Sequence, residues 1–71
     1  MRAMNYTSLS NLRAKYRAFW DAYQVIAHQN AQLLKAGKQP PDDQVLEERK
    51  AAAAVEKARD ELLTAITRLG N

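Results

Sequence analysis

LSNLRAKYRAFWDAYQVIAHQNAQL, residues 9–33, sets Leu9, Leu12, Tyr16, Phe19, Tyr23, Ile26, Asn30 and Leu33 at alternating steps of three and four. That spacing keeps one narrow stripe on one side of a helix, and a stripe sustained over almost four heptads must be buried against another helix. The stretch predicts a long first helix from about residue 6 to residue 36. Asn5, Thr7 and Ser8 are candidate N-caps; Asn5 would set Met4 and Leu9 at the spacing of a hydrophobic staple. At the other end Lys35 suits the negative pole of the helix dipole, and Gly37 suits the left-handed turn that ends helices.

The break that follows is Gly37-Lys38-Gln39-Pro40-Pro41, and so short a connection makes neighbouring helices antiparallel. Pro41 fits the first position of a second helix, and Asp42 and Asp43 fit its positively polarised first turn. The second helix is expected over about residues 42–69, with Gly70 as its stop. The expectation is one all-α domain over residues 1–71, an antiparallel, coiled-coil-like two-helix hairpin. Folding the chain at the break pairs Leu9 with Leu69, Leu12 with Ile66, Tyr16 with Leu62, Phe19 with Arg59, Tyr23 with Val55, Ile26 with Ala52, Asn30 with Glu48 and Leu33 with Val45. All but two of these layers are apolar on both sides. In the exceptions, Asn30 and Glu48 can hydrogen-bond and fix the register, while the Arg59 stem can cover the Phe19 ring.

A 71-residue chain without cysteine has no disulfide to staple a small core, and its one histidine, His28, argues against a structural metal site. Self-association is the remaining staple, so a homodimer forming a four-helix bundle is expected. One flank carries Ala22, Ala36, Ala51, Ala58 and Ala65, small residues that would let a second hairpin approach; Ala22, Ala51, Ala58 and Ala65 are the candidate dimer face. The other carries Trp20, Ala27, Leu34 and Leu63, a contact surface of the kind that exposed tryptophan and leucine mark. Trp20 completes a dimer core or anchors a foreign protein; both readings stay open here.

Charge is split along the chain. Residues 1–36 hold five basic groups against Asp21, whereas residues 42–71 hold five against seven acids, Lys38 supplying the remainder of the net +3. Opposite charges on two paired helices explain this, and a nucleic-acid footprint on Arg13, Lys15, Arg17, Lys35 and Lys38 is the alternative. No apolar run approaches the ~18 residues that span a bilayer, and the start lacks the apolar core of a secretory signal, so the expected location is cytoplasmic. Met4 is a possible alternative initiator.

No glycine-rich phosphate loop or nucleophile elbow is present, and His28 faces outward with no histidine one turn away. Neither cofactor, metal nor small-molecule substrate is expected, and the chain does not read as an enzyme. The first functional expectation is a protein-binding module that presents Arg13, Tyr16, Arg17, Trp20, Gln24 and Leu63 to a larger protein and inhibits it by occlusion. Asn11-Leu12-Arg13, then Phe19-Trp20, then an alanine-rich second helix resembles the small phage-encoded helical hairpins that inactivate host proteins, such as the quorum-sensing anti-activators of Pseudomonas phages. That resemblance implies a dimer bound to a host regulatory protein or enzyme. In plan and length the hairpin also resembles the plasmid repressor-of-primer family, which implies a dimeric bundle that binds paired RNA loops.

Overall fold

The computed structural model describes residues 6–70 and consists there of two helices, α1 (Tyr6–Lys35) and α2 (Asp42–Gly70), packed side by side as a hairpin. The molecule measures 54 × 16 × 14 Å, and its radius of gyration is 16.1 Å. A compact chain of this length would have a radius near 11 Å. The hairpin is therefore a rod one layer thick.

The helix ends follow from local chemistry. Gly37 has φ 75°, the left-handed conformation. Lys38 N–H donates to the Leu33 carbonyl at 2.8 Å and Gly37 N–H to the Leu34 carbonyl at 3.0 Å, the paired reverse bonds of a Schellman motif. Both satisfy carbonyls that the end of α1 would otherwise leave without a partner. At the start of α2 the Pro41 carbonyl accepts from Gln44 and Val45 N–H, both at 3.0 Å. Pro41 is thus the capping residue, one place earlier than the first helical position expected of it, and Asp42 and Asp43 fill the first turn. Pro40 is buried in the connection. Thr7 and Ser8 lie inside α1, while Met4 and Asn5 fall outside the described residues.

Packing follows the expected stripe on α1 except at Phe19: Leu9 and Asn30 are buried, Leu12, Tyr16, Tyr23, Ile26 and Leu33 are half-buried, and Phe19 stays 37% exposed at the edge. On α2 the stripe differs. Glu48, Val55 and Leu62 face α1 as expected, but Ala58 and Ala65 are 2% and 5% exposed, whereas Arg59, Ile66 and Leu69, the expected partner of Leu9, are exposed. The layers Phe19–Arg59 and Leu12–Ile66 are therefore replaced. Phe19 shares a groove with Ala54 and Ala58, and Leu12 lies with Ala65. Two forces favour this rotation of α2. Small side chains at Ala51, Ala58 and Ala65 give the bulky tyrosines and Phe19 of α1 room to interdigitate, and the Arg59 guanidinium keeps its hydration.

One polar layer interrupts the seam. Asn30, 4% exposed, donates from Nδ2 to Glu48 Oε1 at 2.7 Å and to the Gln44 carbonyl at 3.3 Å. The first is a charge-assisted bond across the two helices, and it forms only when these positions are level. The pairing expected from spacing is thus observed, with the side-chain Oδ1 of Asn30 and Oε1 of Gln44 buried beside it without a hydrogen-bond partner.

Candidate functional site

A hairpin has two flanks, and the rotation of α2 decides what each presents. On one flank Lys15 Nζ pairs with Glu61 Oε1 at 3.1 Å, closing the edge of the seam. Near it lies a depression of about 620 Å³ whose lining includes Glu56, Lys57, Asp60, Glu61 and Arg68. Hydrated side chains of both signs border it over a floor of Leu12, Ala53 and Ala65, and next to it Lys15 and Lys57 flank the exposed Phe19 ring, so the apolar area on this flank is ringed by charge.

The opposite flank is apolar. Tyr16, Trp20 and Tyr23 of α1 meet Ala52, Val55 and Arg59 of α2 around a groove of about 270 Å³. Trp20 and Tyr23 stack with ring centroids 5.6 Å apart and planes tilted by 35°. Even so Trp20 keeps 40% of its surface exposed. Steps of seven continue the strip in both directions: Ala27 and Leu34 follow Trp20 on α1, and Val45, Ala52 and Ile66 align with Arg59 on α2. Leu63 stands beside Ile66, one turn from Arg59. Leu34, Leu63 and Ile66 are all exposed. The strip therefore runs about 32 Å along the 54 Å rod, with Arg13, Arg17 and Gln24 exposed along its α1 border.

The residues expected to bind a partner are thus brought together: Arg13, Tyr16, Arg17, Trp20 and Gln24 lie on or beside this strip, and Leu63 borders it on α2. The expected dimer face is not assembled. Ala58 and Ala65 are spent in the seam, Ala51 is half-buried there, and only Ala22 is exposed. The correction has one cause: α2 turns its alanines toward α1, leaving neither Ala58 nor Ala65 surface for another chain. The basic residues proposed for nucleic acid are dispersed. Lys15 is tied to Glu61 on the far flank from Trp20, and Lys35 lies about 27 Å along α1 from Arg17.

Spacing alone missed Ile66 and Arg59 as members of the strip. A second stripe, Glu48, Ala51, Val55, Ala58, Leu62, Ala65 and Leu69, alternates steps of three and four equally well, so spacing does not choose between the two. His28 lies on the outer side and its Nε2 is 3.1 Å from Gln32 Nε2. Among the described residues no group of histidine, cysteine and acidic side chains could hold a metal ion, and no helix is long and apolar enough to cross a membrane. No known protein family, curated protein or solved structure matches this chain.

Proposed function

We propose that the chain is a non-enzymatic protein-interaction module that works through the Trp20 flank and inhibits a regulatory protein or enzyme by covering it. The observation that carries this reading is a half-exposed tryptophan on an apolar strip that is interrupted on α2 by Arg59 and bordered by Arg13 and Arg17. Tryptophan, tyrosine and arginine contribute most of the binding energy at protein interfaces, and apolar area of this extent on so small a chain calls for cover. A rod 54 Å long and 16 Å wide has the shape to lie along a groove or helix of a larger protein, and occlusion is the mechanism open to it. The phage-hairpin resemblance supports an inhibitory role of the same kind, exercised inside the cell that makes the chain.

The test is affinity purification from the native host followed by binding measurements with the purified target. Trp20→Ala is expected to weaken that complex by about 2 kcal/mol, roughly thirtyfold. The reading fails if Trp20→Ala and Leu63→Ala leave the affinity unchanged. It also fails if the chain instead binds nucleic acid with an affinity that falls steeply as salt rises.

A further inference from the structure

We infer that in the free protein the Trp20 flank is covered by a second copy of this chain, each α1 lying antiparallel to the α2 of the other copy. The inference rests on reading the flank as a protein-binding surface and names its first occupant. Three observations carry it.

The hairpin lacks an interior of its own. Among the described residues of the two helices the buried apolar side chains are Leu9, Val55, Ala58 and Ala65, two of them alanines, and no large side chain is fully buried. The seam therefore provides only part of the burial that a domain needs, and the remainder has to come from a partner that is present wherever the chain is made. A second copy always meets that condition.

Surface area gives the size of the missing contact. The chain exposes 5532 Å², whereas a compact monomer of 8.0 kDa would expose about 4,450 Å². The surplus of roughly 1,100 Å² is close to the ~800 Å² that each partner gives up in a standard interface. One copy laid along the strip accounts for it.

Charge selects the orientation. Within α1 the basic residues Arg13, Lys15, Arg17 and Lys35 face a single acid, Asp21, so α1 carries +3; α2 carries −2. Laying α1 on α1 would bring the Arg13 and Arg17 borders of both copies to one side. Laying α1 on the partner copy's α2 places both connections at the same end of a four-helix bundle, sets Arg17 within one residue of the level of Asp60, and brings the more basic helix against the more acidic one. The polar Lys15–Glu61 flank then stays outside. Because one flank serves both purposes, self-association and target binding compete for Trp20.

The experiment uses the full chain. Light scattering is expected to give twice the 8.0 kDa chain mass. Leu34→Asp and Leu63→Asp on the strip are expected to shift dissociation to at least tenfold higher concentration, while Ala22→Glu on the other flank leaves it unchanged. Since the chain has no cysteine, Lys38→Cys accepts a single spin label per copy. The two labels are expected within roughly 30 Å of each other, a few helix diameters. A folded monomer overturns the inference, as does a dimer dispersed by Ala22→Glu and not by the strip variants. A label separation approaching the 54 Å length of the rod also overturns it, because the connections would then lie at opposite ends. This distance decides the orientation even if the strip variants unfold. None of these failures touches the reading of the flank as a target-binding surface, which is judged on the purified target with Trp20→Ala.

Discussion

The two flanks of the hairpin are bounded by the same two helices and differ in what finishes them. Along one, Lys15 reaches Glu61 and the edge is sealed by hydrated charge. Along the other, Trp20, Leu34, Leu63 and Ile66 stand in water, with Arg59 and Glu56 the charged residues at the Trp20 groove. The difference teaches that a two-helix protein carries its working surface as a by-product of how its second helix is rotated. One residue's difference in the stripe, Ala58 in place of Arg59, moves an arginine and an isoleucine from the seam to the strip.

The strongest way to break this contrast is to forbid that rotation. Ala58→Glu forces a carboxylate into a site 2% exposed and is expected to cost more than about 3 kcal/mol, abolishing the cooperative thermal transition in circular dichroism. A variant that melts like the parent would show that Ala58 does not face α1. Next in size is Asn30→Ala, which removes a 2.7 Å bond to a carboxylate and is expected to cost about 1.5–3 kcal/mol in urea unfolding. An unchanged midpoint would mean that the polar layer does not hold the helices level.

Gly37→Ala sharpens the comparison by leaving both flanks untouched. A methyl group there meets no atom within 4 Å, so the φ of +75° is the only penalty, about 1 kcal/mol in the same measurement. A neutral result would show that the reverse turn ending α1 tolerates a side chain. Smallest is Lys15→Ala, which removes an ion pair whose side chains keep 49% and 37% of their surface in solvent. Its expected effect is below about 0.5 kcal/mol and smaller still at high salt. A loss above 1 kcal/mol would put structural weight on the polar flank and undo the contrast.

The hairpin itself was legible because its signals are local and strong. An uninterrupted three-four alternation marks α1, Gly37 ends it, and Pro40-Pro41-Asp42-Asp43 separates it from α2. Asn30 and Glu48 were legible as partners because folding the chain at the break sets them opposite one another, with apolar layers on either side. The rotation of α2 was not legible. Ala51 to Ala54 present the same methyl group on every side of the helix, so the centre of α2 carries no directional signal. Only the cost of burying Arg59 favours the alanine stripe, and that cost becomes decisive once the aromatic residues of α1 are seen to need the space. The Trp20 neighbourhood on α1 was readable from spacing, whereas its α2 wall, Ala52, Arg59 and Ile66, depended on the rotation and was not.

The Asn30–Glu48 bond bears on how freely this chain tolerates change at its tip. Because the two rods are locked level from within, the outward pattern of side chains does not depend on how the bend is built. Extra residues inserted after Gly37 add only a slowly growing closure entropy. Such insertions leave Trp20, Leu34 and Ile66 where they were, so the tip is a site for grafting a tag or a second domain without redrawing the contact strip.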